Sequence, residues 1–163
     1  MITIRNATIE DLDGIARIEE ICFPSKEAAS REILKGRLIC YPEHFWLLFE
    51  DDILISFIDG FVTNERDLKD DMYDSPKMHD EAGDWQMIFG INTLPEYRKR
   101  GHASYLIEHV INEAKAHEKK GVVLTCKEKL IPFYERQGFV NEGISSSVHG
   151  DSVWYQMRYS IDD

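Results

Sequence analysis

The sequence predicts an α/β fold with a single mixed β-sheet and flanking helices, and three stretches carry that prediction. Gln86–Thr93 is an apolar strand, stopped by Pro95, which cannot donate to a ladder. It leads through a basic turn into a long helix, where Ala103, Leu106, Ile107, Val110, Ile111 and Ala114 recur on one face. Val122–Cys126 is a short apolar strand after that helix, so strand, helix and strand form a right-handed parallel crossover. His44–Phe49 and Ile53–Val62, joined by Glu50-Asp51-Asp52, read as an antiparallel hairpin. Parallel and antiparallel pairs in one chain make the sheet mixed.

The other elements follow in order. Ile2–Arg5 is a short first strand. Thr8 with Asp11 has the form of a capping box. The helix behind it turns Leu12, Ile15, Ala16, Ile18 and Cys22 one way, and Phe23-Pro24-Ser25 breaks it. A second helix is predicted from about Glu27 to Ile39, with Ala29, Ile33 and Leu34 inward, ended by Tyr41-Pro42. Residues 64–84 have no periodicity. They carry Asp67, Asp70, Asp71, Asp74, Asp80, Glu81 and Asp84 against Arg66, Lys69 and Lys77. So long a loop in a compact domain reads either as functional or as a solvated insertion. Lys119-Lys120-Gly121 is expected to close the long helix, with cations on its negative end and glycine as its cap. A short helix over Leu130–Gln137 ends at Gly138. A last hairpin is expected with arms near Ile144–Val148 and Val153–Tyr159 around His149-Gly150-Asp151. There is no internal repeat, linker or low-complexity stretch, so residues 1–163 read as one domain.

Composition narrows the function. The chain has 163 residues, 43% apolar and 30% charged, and no apolar run near the roughly 20 residues a membrane span needs. Met1-Ile2-Thr3-Ile4-Arg5 lacks the charged lead and apolar core of a signal peptide, so a cytoplasmic protein is expected. Cys22, Cys40 and Cys126 are odd in number and widely spaced, which fits reduced thiols rather than a disulfide frame or a zinc site. A net charge of -11 argues against nucleic acid as a partner. An acidic surface suits cationic small substrates, and it also serves solubility.

The chemistry gathers at the turn after Pro95. A strand, a glycine turn and a helix N-terminus make an anion site, because first-turn amides lack intrahelical acceptors and the helix dipole adds positive charge. Arg98, Lys99 and Arg100 add full charges, so a phosphorylated cofactor is the natural guest. The turn reads Arg98-x-x-Gly101-x-Ala103, which resembles the acetyl-CoA pyrophosphate loop of the GNAT N-acetyltransferases. Phe133-Tyr134-Glu135-Arg136-Gln137-Gly138-Phe139 resembles that family's second element. Leu124-Thr125-Cys126, Leu130–Arg136 and Phe45–Phe61 are most similar to the arylalkylamine (serotonin) N-acetyltransferase branch.

The resemblance implies a GNAT fold, with a splayed parallel strand pair at the cofactor site. It implies an acetyl-CoA-dependent N-acetyltransferase acting on the primary amine of a small molecule. A peptide or protein acceptor, and a non-catalytic acyl-CoA sensor, are the alternatives. Pantetheine would pair with backbone of Ile91, Asn92 and Thr93, and a backbone N–H near Ile91 would meet the developing oxyanion. The pyrophosphate would sit on Arg98, Lys99, Arg100, Gly101, His102, Ala103 and Ser104. Tyr134 would protonate the departing thiolate, since a phenol with a pKa of about 10 keeps its proton at neutral pH. No metal is implied, and the expected partners are a small-molecule amine and, in a homodimer, a second copy of the chain. The arylalkylamine enzymes carry histidines on the strand where this chain has Met87 and Phe89. The general base is therefore open among His149, Glu19, Glu20 and acids of the long loop.

Overall fold

The structure, a computed structural model, describes residues 1–161. Seven strands form one sheet: β1 (Ile2–Asn6), β2 (Phe45–Glu50), β3 (Ile53–Thr63), β4 (Trp85–Thr93), β5 (Gly121–Cys126), β6 (Val140–Ile144) and β7 (Tyr155–Ser160). Their order is β1-β2-β3-β4-β5-β7-β6, and only β4–β5 is parallel. The sheet is mixed and carries helices on both faces, as the sequence predicts. Alternation along β2 sends Phe45 and Leu47 to one face and Trp46 and Leu48 to the other. Helices α1 (Leu12–Cys22) and α2 (Arg31–Cys40) cover the first face. Helix α3 (His102–Ala116) and the short α4 (Ile131–Arg136) cover the second.

Two backbone features open the sheet in its middle. β4 and β5 pair only over Trp85–Met87 and Gly121–Val123, and beyond that they diverge. On its other edge β4 carries a bulge: Asp59 pairs with Gly90 and Gly60 with Ile88, which leaves Phe89 as the extra residue. A bulge bends its strand and raises its twist, which turns the end of β4 away from β5. Gly60 permits the close approach, since a Cβ there would stand 1.8 Å from the Met87 carbonyl oxygen.

Several expected boundaries move. The second helix begins at Arg31, not Glu27, because Ser30 caps it by accepting the Ile33 N–H. Pro24–Ala29 is instead a turned loop. Gly121 does not cap α3. Glu118 takes the left-handed turn at φ 58°, and Gly121 opens β5, where the Tyr159 carbonyl leaves no room for a side chain. Lys119 is buried, and its ammonium donates to the Glu81 and Gly83 carbonyls at 2.7 Å. The last hairpin pairs β6 with β7, so residues 145–154 form a long connection rather than an arm and a tight turn.

The acidic stretch is not a solvated insertion. Leu68 and Met72 are buried under it. Asp70 accepts the Ser147 hydroxyl and the Val148 N–H, and so ties it to the 145–154 connection. Glu81 lies 2.9 Å from His44 Nε2 and 3.4 Å from His79 Nε2. It is a strap packed across the α1/α2 face.

Candidate active site

The turn between β4 and α3 presents backbone donors outward. Lys99 and Gly101 take left-handed conformations, at φ 64° and 84°. Gly101 is the N-cap of α3 and supplies no side chain, so the amides of His102, Ala103 and Ser104 have no side-chain cap. Arg98 and Lys99 line the adjoining cavity, and Arg98 Nε donates to the Thr93 carbonyl at 3.0 Å. Arg100 lies over the Tyr97 ring. His102 is half-buried, with Nε2 unpartnered among the described residues, and Ser104 accepts from Gln137. This cradle fits a pyrophosphate: free amides at the N-terminus of a long helix, beside two cations.

A cavity of about 710 Å³ passes from this turn through the β4–β5 gap. On the α3/α4 side Phe133 and Tyr134 line it, and within the gap Gly90, Ile91, Thr125 and Cys126 do. Tyr134 is buried, with Phe133 and Phe139 edge-on to its ring, and burial pushes its phenol well above the usual value of 10.0. The predicted strand residues divide. The Asn92 carbonyl accepts from Ser56 Oγ at 2.6 Å and the Leu94 N–H reaches Ile55, so even-numbered backbone here faces β3. Alternation turns Ile91 and Thr93 to the gap. Asn92 instead sends its side chain to the α1/α2 side, into contact range of Gly90.

On that side the cavity is roofed. The Tyr73 hydroxyl of the strap meets Thr125 Oγ1 at 3.2 Å, and the Tyr73 ring stacks on His149 at 5.0 Å. His149 Nε2 donates to the Glu27 carbonyl at 2.8 Å, and Lys127 pairs with Glu27 at 2.7 Å. Trp154 Nε1 donates to the His149 carbonyl at 2.7 Å. His149 is thus a cavity-lining residue with one nitrogen committed, not a plain turn residue. Glu20 is exposed and outside the cavity.

Beneath the roof lies a buried polar cluster. Arg37 Nη1 meets Asp59 Oδ2 at 2.8 Å, and its other nitrogens donate to the Tyr73 carbonyl. Glu19 Oε2 accepts the Ala29 N–H at 2.9 Å. Glu19 Oε1, Asp59 Oδ1 and both polar atoms of the Asn92 side chain are buried without hydrogen-bond partners among the described residues. Burial, and then the neighbouring Asp59 charge, push the Glu19 carboxyl up to about 7. Sequence reasoning placed Glu19 among candidates but missed Arg37, Asp59 and Tyr73. A signal was there for two of them. Asp59 interrupts the apolar run Ile53–Val62, and Arg37 falls three residues after Leu34 on the inward face of α2.

A second cluster, Glu43, His44, His79 and Glu81, has the spacing of a metal site, with ligand atoms within 4.8 Å of one another. Its protons argue otherwise. The Val62 N–H donates to His79 Nδ1, so the neutral ring carries its proton on Nε2, toward Glu81, and offers no lone pair there. Glu81 ties the strap to His44 and His79, and His79 is not a ligand in this tautomer.

The model of the acetyltransferase (GNAT) family matches residues 12–139. Solved structures share the fold at low identity. The loading GNATL domain of CurA from Lyngbya majuscula is 17% identical, with 98% of each chain covered and a TM-score of 0.85. The ribosomal-protein-S18-alanine N-acetyltransferase from Escherichia coli is 19% identical over 100% of this chain and 96% of the other, with a TM-score of 0.77. The PaiA N-acetyltransferase from Thermoplasma acidophilum, solved with coenzyme A, is 17% identical over 99% of each chain, with a TM-score of 0.74.

Proposed function

This chain belongs to the GNAT acetyltransferase family, with acetyl-CoA as its co-substrate, and we propose that it transfers the acetyl group directly to the primary amine of a small molecule. The observation that carries the choice of acceptor is the roof. The Tyr73 hydroxyl on Thr125, the Tyr73 ring stacked on His149, and Glu27 holding His149 and Lys127 narrow the α1/α2 side of the cavity, which favours a small acceptor over a peptide. Tyr73, Phe89 and Trp154 line that side, which suits an amine with an apolar or aromatic body. The arylalkylamine-like motifs support the same choice.

Acetyl-CoA supplies an acetyl carbon activated as a thioester. The rest falls to the chain. The first-turn amides of α3, with Arg98 and Lys99, hold the pyrophosphate. Ile91 and Thr93 offer backbone to pantetheine along the unpaired end of β4. A backbone N–H near Ile91 meets the charge that develops on the carbonyl oxygen. Tyr134, kept protonated by burial, gives its proton to the leaving sulfur. We read residues 1–163 as one domain, since every strand among the described residues joins the same sheet.

A panel of small amines and N-terminal peptides, assayed with acetyl-CoA by thiol release, tests the reading. Turnover with small amines supports it. Turnover with peptides alone moves the acceptor to a polypeptide, and acetyl-CoA binding without turnover makes the protein a sensor.

A further inference from the structure

Acetyl transfer needs an amine that has lost its proton, because an alkylammonium has no lone pair with which to attack. The chamber offers few groups to take that proton. Met87 and Phe89 have no basic atom. His149 donates its Nε2 proton to the Glu27 carbonyl, so only its Nδ1 keeps a lone pair, and its ring is held flat against Tyr73. Asp74 lines the cavity from the strap but is exposed to solvent and far from enclosed.

Glu19 is different in three respects. It lines the cavity, only 5% of it is exposed, and its Oε1 has no hydrogen-bond partner among the described residues. Asp59 Oδ1 and the Asn92 amide, equally buried and unpartnered, converge on the same point. They crowd the side of Gly90 from which a side chain would project. A Cβ there would stand 3.3 Å from Asn92 Nδ2, 3.4 Å from Asp59 Oδ1 and 3.7 Å from Glu19 Oε1. Buried polar atoms left unpaired cost stability, so three of them around one glycine mark a place suited to a polar guest.

We propose that Glu19 takes the proton from the acceptor's ammonium group, across a niche that it forms with Asp59 and Asn92 around Gly90. The inference rests on the acetyl-transfer reading and supplies the base that reading lacks. The ligand class is a primary amine that is cationic when free. The ammonium gives one proton to the Glu19 carboxylate and becomes a neutral amine. Its lone pair forms the C–N bond at the acetyl carbon as the C–S bond breaks. Sulfur keeps that electron pair and receives a proton from Tyr134. The nitrogen then sheds a second proton, which restores Tyr134, and Glu19 returns its own to solvent. The sum is ammonium plus thioester giving amide, thiol and one proton.

The charges around Glu19 favour the step. Asp59 on β3 is matched by Arg37 on α2, while Cys22 lies one turn on along α1 with Arg98 beside it, and Tyr73 closes the strap side. Arg37, the Ala29 N–H and the Asn92 amide ease an ionised Glu19, but burial and Asp59 outweigh them, so a cationic substrate adds the charge that the cluster is short of. Its elevated proton affinity, near pH 7, places it where a general base works best.

The test uses Glu19→Gln and Gly90→Ala, with the best amine of the panel and with acetyl-CoA calorimetry on each variant. Wild-type kcat/KM should rise with pH and level off above about 7. Glu19→Gln should lower kcat by about 10²–10⁴-fold and abolish that acid limb, with acetyl-CoA affinity unchanged. Gly90→Ala should lower kcat while Glu19 is still present, because its methyl fills the niche. A Glu19→Gln enzyme with wild-type rate and limb overturns the proposal, and so does Gly90→Ala at full kcat. If Glu19→Gln does not fold, Gly90→Ala decides. A wild type that binds acetyl-CoA but acetylates nothing removes the acetyl-transfer reading and this inference together, whereas an active wild type with unaffected variants removes the inference alone.

Discussion

Arg37 Nη1 lies 2.8 Å from Asp59 Oδ2, and neither side chain reaches solvent. The pair joins α2 to β3, and through the Tyr73 carbonyl it also holds the strap. Removing one partner leaves the other charged and buried, which typically costs about 3–5 kcal/mol. Asp59→Asn should lower stability by that order in urea unfolding. Arg37→Met combined with Asp59→Leu should recover part of it. An unchanged midpoint for Asp59→Asn would mean the pair is dispensable.

The Glu19 carboxyl titrates near 7 in the folded protein against an ordinary 4.5, so between those values the native state holds a proton that the unfolded chain releases. Stability from this group is complete below the lower value and is lost as pH rises through the upper one. The effect is on the order of 3 kcal/mol at most. Glu19→Gln should therefore melt higher than wild type at pH 8 but not at pH 4. Equal shifts at both would contradict the buried-acid account.

Gly101→Glu should abolish acetyl-CoA binding in a folded protein. Within the chain itself a Cβ there meets nothing within 4 Å, so packing does not forbid the variant. The obstacles are the φ of 84° and a negative charge set on the anion cradle. Calorimetry with unchanged affinity would remove the turn from the cofactor site.

Tyr134→Phe should cut kcat and kcat/KM together by about 10²-fold or less, with acetyl-CoA affinity kept. Burial raises this phenol, so wild-type activity should show no alkaline limb near pH 10 from its ionisation. Full turnover in the variant would leave Tyr134 a packing residue.

Asp70→Asn should loosen the 145–154 connection, because Asp70 receives both Ser147 and Val148. KM for the amine should rise by a factor that salt does not erase, and proteolysis within 145–154 should quicken. A rise that vanishes at high salt would instead indicate long-range attraction.

The fold was legible where periodicity was strong. Leu106, Ile107, Val110 and Ile111 announced α3, and the Arg98–Ala103 turn announced the cofactor side. The acceptor side was not legible, for physical reasons. Tyr73 sits in a stretch with no period, since it is seated by tertiary contacts to Arg37, Thr125 and His149 rather than by a local pattern. Glu19 and Asn92 become distinctive only when β4 bends and Gly90 leaves their side chains facing one another. Boundary errors arose at the same kind of place. Glu118 adopted a left-handed turn expected of Gly121, because the glycine was needed against Tyr159.

The short pairing between β4 and β5 has a consequence for the protein's upkeep. Three residue pairs join β4 to β5, and among the described residues no strand lies beside the rest of the two inner edges. Whatever fills the gap binds the folded chain and not the unfolded one, so folded lifetime is coupled to metabolite supply. At a hundred times its dissociation constant such a ligand adds about 2.7 kcal/mol. Starvation for acetyl-CoA would thus thin out the enzyme itself, with turnover by proteases falling on the copies that have nothing to acetylate with. Pulse proteolysis across a range of acetyl-CoA concentrations would read this directly.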